Sequence, residues 1–185
     1  MRTGWRGFAL VALVPVVCAV AVAGVPASPA AGEAGTAVTL VVHFVAVESD
    51  PVAGGRRVGE VFGCGDRLVA VEVEPETEIE PATVEARITA ALAAQFAAED
   101  SPRGGLYDAL ARSTLRVDRV EPVPALPGAY RVHLGGNLRL GGACDAPRVR
   151  HQLEATATQF PEVEGVEIFL GEEPLDAVLA ARGTP

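Results

Sequence analysis

The chain has 185 residues, with 24 acidic against 15 basic side chains and a formal net charge of −9. That balance excludes a nucleic-acid partner, because neutralising phosphates needs a positive surface, and acidity of this size serves solubility. The length suits one domain plus a leader.

Residues 1–27 read as a signal peptide. Arg2 and Arg6 form a basic start, Phe8 to Val25 is apolar apart from small residues, and Val25-Pro26-Ala27 and Ser28-Pro29-Ala30 both offer small residues where a signal peptidase cuts. The competing reading is an uncleaved membrane anchor, since about 18 residues lies near the lower limit for a span. Pro15 and the alanine- and glycine-rich end weigh against it. Cys18 makes a poor lipid-attachment site, because Pro15-Val16-Val17 lacks small residues before the cysteine. Residues 28–36 read as a flexible linker, 37–176 as the folded domain and 177–185 as a C-terminal tail.

Loss of Cys18 with the leader leaves Cys64 and Cys144, an even pair in an oxidising compartment. A disulfide between them is the expected state and closes a loop of about 80 residues. The alternatives are two buried free thiols, or metal binding with His43 or His133. No short Cys/His spacing of the zinc kind supports the second alternative.

Residues 37–47 are rich in β-branched side chains and apolar on both faces, which predicts a central first strand; His43 interrupts one face. Residues 49–57, with Pro51, Gly54 and Gly55, read as a loop. Residues 58–62 suit a short strand, and Gly63-Cys64-Gly65-Asp66 a turn that sets Cys64 at a strand edge. From Leu68 to Glu74 the alternation puts Val69, Val71 and Val73 inward and Glu72 and Glu74 outward. Glu76, Glu78 and Glu80 continue that side. They read as a solvated acidic edge that discourages strand aggregation rather than a calcium site, which takes a tight loop of mixed oxygen ligands.

Pro81 opens a helix to about Ala98, with Val84, Ile88, Leu92 and Phe96 as its stripe and Ala91 beside it. Gly105 to Leu110 reads as a short helical turn, with Tyr107 as either core or surface contact. Strands follow at 115–120 and 129–134, separated by a proline-rich turn; Tyr130, Val132 and Leu134 alternate with Arg131 and His133. Gly135-Gly136 and Gly141-Gly142 read as bulges or bends. The last helix starts with Asp145 as N-cap and Pro147 in the first turn. Val149, Leu153, Ala157 and Phe160 form its stripe, and Arg148, Arg150, Gln152 and Glu154 fall on the water side. Pro161 and Gly165 end it, and Val166, Ile168 and Leu170 alternate as a half-buried strand. The predicted fold is α+β: one mixed, mainly antiparallel sheet with two amphipathic helices packed on it, in the order β-β-α-β-β-α-β.

No catalytic constellation emerges. His43, His133 and His151 fall on two strands and a helix, and nothing groups them. The few serines sit in no nucleophile elbow, and the carboxylates show no diagnostic glycosidase pairing. The expectation is a non-enzyme without cofactor or metal.

The element order, with Gly105-Leu106-Tyr107-Asp108-Ala109-Leu110, Tyr130-Arg131-Val132-His133-Leu134 and the helix from Gln152 to Phe160 leading into Val166-Glu167-Ile168-Phe169-Leu170, resembles the GerMN domain over residues 36–174. That family occurs in bacterial sporulation and germination proteins and in cell-envelope lipoproteins, sometimes joined to cell-wall amidase domains. The resemblance implies a small α+β module outside the cytoplasm, with no catalytic residues to carry over. The cysteine pair and the poor lipid site depart from the lipoprotein members. The expected function is an exported, non-catalytic binding or assembly module of the cell envelope, acting on cell-wall material or an envelope protein through a surface near Tyr107 and Phe169. An envelope hydrolase and a structural part of an anchored protein are the alternatives; contact with the membrane is expected only if the leader stays attached.

Overall fold

The computed structural model describes residues 39–47, 56–74, 83–98 and 105–182. The leader, the linker, most of the 49–57 loop, Glu76, Glu78, Glu80 and Pro81 lie outside the described residues. The described elements are β1 (Leu40–Ala46), β2 (Arg56–Phe62), β3 (Asp66–Val73), α1 (Val84–Ala97), β4 (Thr114–Pro122), β5 (Ala129–Asn137), α2 (Asp145–Ala157), β6 (Gly165–Leu170), β7 (Glu173–Pro174) and α3 (Leu175–Arg182).

The architecture is α+β, but the strands form two sheets rather than the single expected one. The first is antiparallel, in the order β1-β3-β2; the second is mixed, in the order β4-β5-β6-β7. The β-branched run of β1 lies antiparallel to β3, with Val42 opposite Val71 and Phe44 opposite Val69. Contrary to the sequence reading, β3 and not β1 is central. Both faces of β1 are nevertheless buried, because Val42 and Phe44 pack with Val69, Val71 and Leu106, with Ala94 of α1 against them, while His43 on the other face reaches Thr156 of α2.

Helix α1 starts at Thr83, whose side-chain oxygen accepts from the Ala86 amide at 3.2 Å. This hydroxyl satisfies one orphan donor of the first turn. The pair β4–β5 is antiparallel, with a register shift between Val117 and Arg119 that leaves Asp118 as the bulged residue. Gly136 has φ +103°, and a Cβ there would overlap the Thr114 carbonyl oxygen, so only glycine fits. Helix α2 carries the chain across to β6, which pairs with β5 in parallel, Val132 opposite Ile168. A crossover of this length is what parallel pairing requires.

The main core joins Ile88 and Leu92 of α1, Val132 and Leu134 of β5, Val149 and Leu153 of α2, Ile168 of β6 and Leu175, Val178 and Leu179 of α3. The predicted stripe of α2 is therefore buried as read. Residues 177–182, read as tail, belong to α3, and Leu175, Val178 and Leu179 bury one face of it. Gly105 to Leu110 forms no helix: Tyr107 makes an isolated antiparallel bridge to Val45, with its amide and carbonyl bonded to Val45 at 2.9 and 2.8 Å.

Candidate binding surface

The interior accounts for most of the polar residues singled out above. Val41, His43 and Val45 turn their backbone groups away from β3, as alternation in a strand requires. Tyr107 takes Val45, and glutamine side chains take the other two. Gln95 Oε1 accepts from the His43 amide at 2.7 Å, and Gln152 Nε2 donates to the His43 carbonyl at 2.6 Å. The Gln159 amide does both for Val41, accepting at 2.8 Å and donating at 3.0 Å. Three side-chain amides thus stand where a neighbouring strand would, and they tie β1 to α1, α2 and the second residue after α2. Gln152 also accepts from the Ala109 amide at 3.0 Å and donates to Asp108 Oδ1 at 2.9 Å.

His43 belongs to the same network. Its Nδ1 lies 3.0 Å from Thr156 Oγ1, and that hydroxyl donates to Gln95 Oε1 at 2.9 Å. With the hydroxyl proton committed to an acceptor, Nδ1 carries the imidazole hydrogen and donates to Thr156. A buried ring held in this way is a structural part.

Cys64 and Cys144 form a disulfide, with Cα atoms 5.9 Å apart. It joins the β2–β3 turn to the start of α2. Gly63, at φ +50°, lies so close to Pro147 that a Cβ would come within 2.8 Å of the ring, so this junction also needs a glycine. Cys144 is the N-cap and makes no side-chain cap bond. Asp145, read as the cap, is the first helical residue. Its carboxylate turns back to accept from the Tyr107 hydroxyl at 2.8 and 2.9 Å and from the Gly141 amide at 2.5 Å. Arg148 bridges the buried Asp66 at 2.6 Å and Asp145 at 3.3 Å, and stacks over the Tyr107 ring at 4.9 Å. Burial first, and then the bond to Asp145, push the Tyr107 phenol above its ordinary value, while the hydrogen bond to Asp66 raises Arg148. Tyr107 is thus half-buried, with its hydroxyl engaged inward on Asp145. His151 packs against Phe62 with ring centroids 4.2 Å apart.

Phe169 is placed differently. It lies on the face of the second sheet opposite the helices. The register aligns two rows across the strands there: Arg119, His133 and Phe169, and Glu121, Arg131 and Glu167. His133 stacks on Phe169 with centroids 5.0 Å apart and planes 13° from parallel. Arg119 reaches His133 Nε2 at 3.0 Å, and Glu121 lies 3.5 Å from the same nitrogen. In the second row Arg131 pairs with Glu167 at 2.8 Å, and this bond holds the exposed guanidinium above its ordinary value. The two predicted contact residues are therefore not brought together, and His133 joins Phe169 instead.

Beside Phe169 a cleft of about 300 Å³ opens between β6, the end of α2 and the first residues of α3, with Glu154, Val166, Ile168, Leu175 and Asp176 in its wall. Arg150 pairs with Asp176 at its rim. Glu154 makes no ion pair or hydrogen bond through its carboxylate among the described residues, and burial, partly offset by Arg150 and His151, pushes its pKa above the ordinary glutamate value. No group of three or more metal-ligating side chains occurs among the described residues.

Comparison with models of known protein families, with curated proteins and with solved structures finds no match. Sequence reasoning placed Gln152 and Glu154 together on the water side of α2; the first is fully buried and the second walls the cleft. Glutamine four residues before Thr156 on a helix that follows a strand edge is the one available hint, and periodicity of apolar residues does not register it. The pairing of His133 with Phe169 is not legible in the sequence, because the parallel register of β5 and β6 is invisible without the crossover.

Proposed function

We propose that the chain is an exported, non-catalytic binding or assembly module of the bacterial cell envelope, of the GerMN kind that its sequence resembles. One observation carries the reading: the sheet face around the stacked His133–Phe169 pair presents ordered, solvent-facing arginines and glutamates that no helix of the described residues covers. Paired exposed charges of this kind add little stability, so their alignment in two rows is better suited to recognition than to holding the sheet. An aromatic ring flanked by arginine fits the composition of contact surfaces. The disulfide supports folding outside the reducing cytoplasm.

The test is co-sedimentation of the exported protein with isolated cell-wall material, alongside capture of envelope proteins by cross-linking. Retention that falls in a Phe169→Ala, Arg131→Ala double variant with an unchanged unfolding midpoint supports the reading. Equal behaviour of wild type and variant, or no retention by any envelope fraction, overturns it.

A further inference from the structure

The edge of β6 carries a second, more specific surface. The Gly165 and Gly171 amides point toward β5, bonding to the Gly128 and Leu134 carbonyls at 3.4 and 2.9 Å. Alternation then turns the amides and carbonyls of Val166 and Ile168 to the opposite side. There β7 pairs with Phe169 and Leu170, and because Pro174 has no amide this ladder takes the Ile168 carbonyl for the Leu175 amide; no other strand of the described residues runs beside Val166 to Ile168, which leaves the Val166 amide and carbonyl and the Ile168 amide for a partner. The cleft lies along this unpaired stretch, roofed by Glu154 of α2 and ended by Leu175 and Asp176. A strand edge facing a helix across a narrow groove is the geometry of β-strand addition, in which backbone bonds supply affinity and alternate side chains supply specificity.

We propose that this groove binds an extended peptide segment of a partner protein as an added strand, with an apolar and a basic side chain on its helix-facing side. The apolar residue meets Val166, Ile168 and Leu175. The basic residue meets Glu154, a half-buried carboxylate without an ion-pair partner among the described residues, beside Asp176 and Glu167. Both of those acids already hold arginines, so Glu154 is the acid left for an incoming cation. A second copy of the chain fits less well, since each copy brings a net charge of −9. The inference deepens the binding-module reading and rests on it for the class of partner.

The probe is a capped heptapeptide of alternating threonine and valine with a central arginine in place of one valine, labelled for fluorescence anisotropy. Saturable binding is expected, lost when the peptide amides are N-methylated or the arginine is replaced by glutamate. Glu154→Gln should weaken it about tenfold, the loss of one charge-assisted contact. Val166→Pro should abolish it while leaving the sheet intact, because the lost amide faces the open edge. Equal binding of the methylated peptide, or no effect of E154Q, overturns the proposal, as does a self-associated protein that V166P dissociates. Retention by cell-wall material without peptide binding overturns the groove alone; peptide binding without such retention supports the groove and counts against the envelope reading alone.

Discussion

Gln152 joins three parts of the chain at one point: the His43 carbonyl, the Ala109 amide and Asp108. Truncation to alanine would take away the partner of the buried Ala109 amide and of the buried His43 carbonyl, while Asp108 Oδ1 keeps its bond from the Leu110 amide at 2.9 Å. Each such loss costs roughly 1–3 kcal/mol, so Gln152→Ala should lower stability by about 3–4 kcal/mol, read as the shift in a urea unfolding midpoint. Two residues from Gln152 the balance reverses at Glu154. Burial raises its pKa in the folded chain, so between the unfolded and folded values the native state holds the extra proton. Stability then falls as pH rises through that window. Denaturant midpoints measured across the acid range should show a downward slope that E154Q removes; an identical slope in the variant would place its cause elsewhere.

At the scale of elements, apolar periodicity was informative wherever burial alone decides the outcome. The stripe of Val149, Leu153 and Ala157, and the alternation of Val69 and Val71 with Glu72, can be read directly because each follows the period of its own backbone. What could not be read was partner choice. The apolar character of both faces of β1 suggested a central strand, yet glutamines and Tyr107 occupy its outer edge, and nothing in a hydropathy pattern distinguishes an amide side chain from a neighbouring strand. Asp145 carried a capping signal, and the structure spends its carboxylate on Tyr107 and Gly141 instead. The junction it belongs to is cross-linked: Cys64 and Cys144 are separated by 80 residues. In the chain-entropy account a loop of this size stabilises by about 4–5 kcal/mol. A Cys64→Ser, Cys144→Ser double variant should lose an amount of that order in chemical denaturation. Arg148→Ala should cost about 3–5 kcal/mol, because it leaves buried Asp66 and Asp145 without their cation.

For the whole molecule, the α+β class was legible and the division into two sheets was not. That division depends on α1 and α2 meeting β1 through side chains, a relation between residues more than fifty positions apart. The export reading makes a prediction at this scale: intact mass of the protein recovered outside the cell should correspond to a start after Ala27 or Ala30 and to no free thiol at Cys64 or Cys144 until reductant is added. A chain with its first residues attached and two reactive thiols would reject it. The glutamine-lined edge of β1 has a consequence for biogenesis. Gln159 and Gln152 lie 118 and 109 positions beyond the backbone groups they satisfy, so during synthesis β1 emerges long before the amides that close it. Throughout that interval its outer margin can recruit other nascent chains. A chain cut short before Gln152 should therefore leave that margin open and self-associate where the full-length chain does not.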